Sequence, residues 1–112
     1  MGQVNLVLVG REYIRDKGSF TLISGVLARD PILGGSAASM VNGAIESFVK
    51  AAAIEMQSGL RINAVSPTLI LESVPKFGSS FRGFDPIPAA KAALAFSKSV
   101  EGLQTGQVYT VE

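Results

Sequence analysis

Arg61-Ile62-Asn63-Ala64-Val65-Ser66-Pro67 is the stretch on which the fold turns. Together with Leu60, the run up to Val65 is short, mostly apolar and rich in β-formers. Ser66-Pro67 stops it, because proline cannot donate to a sheet ladder. A short apolar run with breakers on both sides predicts a buried strand. Gly59 precedes it, where a helix stop belongs.

Upstream lies the clearest helix, Ala37 to Gln57. Val41, Ile45, Phe48, Ala52 and Met56 recur every three or four residues and form one stripe. Ala51 to Ala53 and Gly43 keep parts of its surface thin, which suits packing against both a sheet and another helix. Glu46 and Lys50, one turn apart, are expected to pair. Ser36 can cap the start. Further back, Ser19 to Ser24 reads as another buried strand, and Gly25 to Gly35 as an irregular connection. The segment Val4 to Val9 has strand composition. Taken through Asp16 to Gly18, however, it reads as a helix with cations near its end, and the helix is preferred.

Downstream, Leu71 to Ile87 is loop-like and carries Phe77, Phe81 and Phe84. Those rings suit either a cover over an apolar ligand or pins to the core. Glu72 and Asp85 read as solvated charges or caps. A helix begins near Pro88, a residue suited to a first turn. Its expected inner face is Ala89, Ala92, Ala93, Phe96 and Val100, and Gly102 ends it. Gln107 to Val111 is a final strand. Strands alternating with helices predict an α/β fold: a partial Rossmann-like doubly wound arrangement of about three parallel strands with helices on both faces. Residues 1–112 are read as a single domain.

Composition narrows the chemistry. The 112 residues contain no cysteine and no histidine, so disulfides, thiolate catalysis and serine–histidine catalysis are excluded. The net charge is +1 with the basic residues scattered, so nucleic acid is not an expected partner. No apolar run approaches a membrane span, and Met1 to Asn5 lacks the features of a signal peptide. A cytoplasmic protein that does not enter membranes is therefore expected.

Four stretches, in order, resemble the second half of the short-chain dehydrogenase/reductase domain. Gly18-Ser19-Phe20-Thr21-Leu22-Ile23-Ser24-Gly25 is similar to that family's fifth strand. Gly43 to Lys50, continuing to Glu55, is similar to its catalytic helix. Arg61 to Pro67 closely follows its Arg-Val-Asn-Ala-Val-Ser-Pro-Gly strand and turn. Thr105-Gly106-Gln107-Val108-Tyr109 resembles its last strand. The family's Gly-rich dinucleotide turn has no counterpart here. The Gly34-Gly35-Ser36 turn reads as a tight turn with a capping serine, or more weakly as an anion holder.

The resemblance implies an NAD(P)-dependent oxidoreductase, provided a nucleotide-binding half completes the fold. It implies cofactor contacts at Ser24, Gly25, Pro67, Thr68 and Ile70, with threonine at 68 where the family has glycine. It also places Ala38 at the family's catalytic tyrosine, Asn42 at its lysine and Gly25 at its serine. Alanine donates no proton, and asparagine has no charge with which to depress a neighbour's pKa. No catalytic residue is therefore assigned. Ser24, Ser36 and Ser39 remain as hydrogen-bonding groups or plain caps. A non-enzymatic binding or assembly module is the alternative expectation. A homo-oligomer formed through the helices at 4–16 and 38–57 is implied by the family, and the strand at Phe20 to Ser24 is expected to present a bare edge.

Overall fold

The computed structural model describes residues 2–112. The elements run α1 (Gly2–Gly10), β1 (Ser19–Ile23), α2 (Ser36–Glu55), β2 (Arg61–Pro67), α3 (Val74–Phe77), α4 (Ala89–Glu101) and β3 (Val108–Val111). The strands form one parallel sheet in the order β1-β2-β3. Phe20 lies beside Ile62 and Leu22 beside Ala64, while Val65 lies beside Tyr109.

Strand alternation sends successive side chains to opposite faces. Leu22, Ile62 and Ala64 pack with Ile45, Val49 and Ala52 of α2 and with Val7 of α1. Val65 and Val111 pack with Ala92 of α4 and with Ile87. On the α4 face, Asn63 donates to Ser99 Oγ at 3.1 Å, and the Thr21 and Ser99 hydroxyls lie 2.7 Å apart. β2 is thus buried on both sides, which explains its near-continuous apolar character.

Several sequence expectations need correction. α1 is a helix, which excludes the strand alternative, but it stops at Gly10 rather than Asp16. Gly10 O accepts from both Tyr13 N and Ile14 N, closing the helix into turns. Lys17 N then donates to Ser58 O at 2.8 Å and draws the chain away. α2 starts at Ser36 itself, with Gly35 as the capping residue and no side-chain cap. It ends at Glu55, and the turn beyond takes positive φ at Ser58 and Gly59. Its inward stripe is Ile45, Val49 and Ala52, whereas Val41 faces out.

β2 is not stopped by Ser66-Pro67 but runs through them. The ladder survives proline because Thr68 N, one residue on, donates to Val111 O at 3.0 Å. The 71–87 segment is not featureless: it holds α3 and two 3-10 turns, and Ile70 bridges to Ile87 in parallel. Pro88 caps α4 from outside rather than entering it, while Glu72 Oε1 accepts the Ala89 N–H at 3.0 Å. The inner face of α4 uses Ala92 and Ser99, leaving Val100 exposed. Arg61 secures the other end of α4 by donating to Ser99 O and Val100 O at 2.6 and 2.9 Å.

Candidate functional site

At the carboxyl ends of β1 and β2 the chain opens into a cleft of about 200 Å³. Ligands of parallel α/β sheets bind at this end of the strands. Ser24, Gly25, Pro67 and Thr68, four of the five residues expected on the cofactor side, line it together. Ile70 stands outside the lining, paired with Ile87 and packed in the cluster around Val65. The rest of the wall comes from Val26, Leu27, Leu69, Phe81 and Asn42. Of the three phenylalanines, Phe81 is the one that reaches the cleft. Phe84 meets it edge-on, with ring centroids 5.2 Å apart.

Ser24 is placed by backbone pairing, its N–H donating to Val65 O at 2.9 Å. Gly25 leaves room for α2 to approach. A Cβ built there would lie 3.2 Å from Asn42 Nδ2 and 3.8 Å from Pro67 O. Asn42, at the family's lysine position, therefore lies against the backbone at the end of β1. Ala38, at the tyrosine position one turn earlier, is exposed. Neither side chain exchanges a proton near neutral pH, and the resemblance is what puts them where the family has its tyrosine and lysine.

Beneath the cleft lies a polar chain that spacing alone did not reveal. Glu46 Oε2 accepts from Ser24 Oγ at 2.7 Å and from Ser66 Oγ at 2.8 Å. Arg29 Nη1 donates to Ser66 Oγ at 2.6 Å. The same guanidinium meets Glu112 Oε1 through Nε and Nη2, both at 3.1 Å. Glu46 is thus committed to the strand ends, not to Lys50 as helical spacing suggested. The sequence signal that could have located it is the pair of serines closing both strands. Ser36 and Ser39 take no part. Ser39 Oγ is buried without a partner among the described residues.

A larger hollow of about 330 Å³ lies at the opposite end, where Arg11, Glu12 and Glu55 surround Met56 and Leu60. It sits at the amino-terminal side of β2 and gathers none of the expected site residues. Among the described residues no group of three or more acidic side chains is arranged to hold a metal. No helix among them is long and apolar enough to cross a membrane.

No family model matches the chain, and neither does any curated protein. Solved structures do. The protein lin1944 from Listeria innocua is 55% identical with a TM-score of 0.97, over 99% of this chain and 56% of that one. A small-chain dehydrogenase in complex with NADPH is 27% identical with a TM-score of 0.82, over 99% of this chain and 57% of that one. Another small-chain dehydrogenase is 28% identical with a TM-score of 0.80, over 99% and 51%. The chain therefore spans about half the length of the structures it matches. Its motifs, its parallel strand order and these likenesses agree that the chain is similar in fold to small-chain dehydrogenases over about half of their length.

Proposed function

We propose that this chain is the ligand-side half of a short-chain dehydrogenase/reductase-type oxidoreductase, NAD(P)-dependent when a nucleotide-binding half completes it and inactive in hydride transfer by itself. The observation that carries this reading is the gathering of Ser24, Gly25, Pro67 and Thr68 around one cleft at the strand ends. The small-chain dehydrogenase similar to it was crystallised with NADPH, which favours that cofactor class.

If NAD(P) is held, the backbone at Ser24 and Gly25 and at Pro67 and Thr68 would face it. The cofactor would supply or accept the hydride. The chain's own part is orientation: Gly25 permits close approach, Leu69 and Phe81 exclude water, and Glu46 fixes both strand ends. No residue in the lining carries a transferable proton at the tyrosine position.

Ala38 and Asn42 favour a second reading, a binding or assembly module that keeps the fold without the chemistry. Calorimetric titration of the 112-residue chain with NADPH separates the readings from active catalysis. The expected result is no micromolar binding and no NADPH oxidation with any added carbonyl compound. Micromolar binding accompanied by hydride transfer would overturn the proposal. A cytoplasmic location and a homo-oligomer packed through the α1 and α2 helices belong to the same proposal.

A further inference from the structure

The larger hollow, at the amino-terminal side of β2, shares no residue with the cleft and has electrostatics of its own. α1 and α2 both end beside it. Arg11 and Glu12 follow α1 directly, and Glu55 is the last residue of α2. Each helix end concentrates about half a negative charge, which a cation in the last turn ordinarily offsets. Neither helix has a basic residue there. α2 closes instead on a carboxylate, the sign that its own end repels. Among the described residues no backbone N–H reaches the carbonyls of Ile54 and Glu55.

The lining sets two carboxylates, Glu12 and Glu55, against the single guanidinium of Arg11. Among the described residues none of the three is ion-paired, the one ion pair being Arg29 with Glu112. Arg15, Asp16 and Lys17 stand in the turn beyond α1 but outside the lining, and they too are unpaired among the described residues. Lys17 is drawn to the far side of Ser58, its stem against Gly59. Under the charges lie two half-buried apolar side chains, Met56 and Leu60, the first packed on the core. Gln57 and Ser58 complete the rim with neutral polar groups.

We infer that this hollow binds a small alkylamine as its ammonium ion, the charge between Glu12 and Glu55 and the hydrocarbon over Met56 and Leu60. One carboxylate has Arg11 to balance it, and the ligand supplies the positive charge that the other carboxylate and the two helix ends lack. The site is open, so an ammonium group keeps part of its hydration and loses little on entering. The space of about 330 Å³ leaves room for a short chain with water around its head. An alkyl carboxylate meets the opposite field, and an alcohol only the apolar floor. The inference stands apart from the reading of the cleft, and the two hold or fail separately.

The experiment titrates butylammonium chloride, 1-butanol and sodium butyrate into the isotope-labelled 112-residue chain at low ionic strength, followed by amide and methyl chemical shifts. Butylammonium is expected to move the Glu12, Glu55 and Ser58 amides and the Met56 methyl together along one saturating curve. It is expected to bind roughly threefold more tightly than butanol, and butyrate more weakly than either, with the order fading as salt is added. Glu55→Gln removes a carboxylate from a helix end that repels it, so α2 should fold at least as well. That variant is expected to weaken butylammonium roughly threefold, and Arg11→Gln to strengthen it by about as much. Butyrate binding as tightly as butylammonium would overturn the inference. So would shifts that never saturate or that map away from the hollow, or variants that leave the affinity unchanged. A lysine blocked at both ends carries the same head on a bulkier body. Tighter binding of that probe than of butylammonium would overturn the assignment to a small molecule in favour of a partner's lysine side chain.

Discussion

Glu46 ties three elements together with a single oxygen atom. It stands on α2 and accepts hydroxyl protons from the last turn of pairing in both β1 and β2. Removing it leaves the buried Ser24 and Ser66 hydroxyl protons without their acceptor. Glu46→Ala should cost about 1–3 kcal/mol in urea unfolding, and Glu46→Gln, which keeps an acceptor, clearly less. Its role was hidden in the sequence because Lys50 at i+4 is a local signal, whereas the serines arrive only through tertiary folding. Asn63 is a parallel case that the strand pattern did not flag. Fully buried in β2, it donates to Ser99 Oγ and Gln104 O and accepts from Gln107 N at 3.0 Å. Asn63→Leu should destabilise by about 2–4 kcal/mol, since three partners lose their bonds in a place closed to water. Tyr109 adds a pH dependence. Partial burial raises its phenol above the ordinary 10.0, with Arg61 pulling it back somewhat. The folded state therefore holds that proton more tightly than the unfolded chain. Stability from this group is present below pH 10 and drains as pH rises through the raised value. Tyr109→Phe should flatten the alkaline limb of the stability curve without changing its neutral plateau greatly.

At the scale of elements, the sheet edge is the informative feature. Among the described residues, β1 has β2 on one side and no strand on the other. The Gln3 carboxamide covers part of that edge: Nε2 donates to Ile23 O at 2.9 Å, and Oε1 accepts from Ile23 N at 2.8 Å. These are the two bonds a neighbouring strand would have made at that residue. Gln3→Ala should therefore speed hydrogen exchange at the Ile23 amide, by about tenfold for each 1.4 kcal/mol of lost protection, while leaving Leu22 and Ala64 unaffected. Unchanged exchange at Ile23 would show that the edge is protected by something else. The three strands and the two long helices were legible from apolar periodicity and punctuation. Their ends were less so. Where α1 stops depends on Lys17 reaching Ser58 across the molecule, and β2 passes Pro67 because Thr68 takes over the ladder bond. Neither contact leaves a trace in local composition. The cleft was legible in part: the resemblance supplied the strand-end residues, and the rings of the 71–87 segment were left as cover or pins until folding brought Phe81 alone to the cleft, while Leu69, just past β2, had no signal of its own.

At the scale of the molecule, the three-stranded parallel sheet has two edge strands, β1 and β3. α1 and α2 leave Leu6, Leu8, Val9, Met40, Val41 and Ile54 exposed. Single exposed apolar residues are ordinary, but six on two neighbouring helices favour association. The chain is expected to sediment as a dimer or larger at about tens of micromolar, a monomer there counting against the assembly proposal. The central proposal, however, is functional: the fold keeps a ligand-side scaffold, and the resemblance puts Ala38 and Asn42 where the family has its tyrosine and lysine. The direct measurement joins this chain in frame to a family nucleotide-binding half and follows both NADPH fluorescence and NADPH absorbance with cyclohexanone present. The account predicts cofactor binding with no oxidation above background, and oxidation gained only in the Ala38→Tyr, Asn42→Lys double variant. Steady oxidation with Ala38 and Asn42 in place would contradict it.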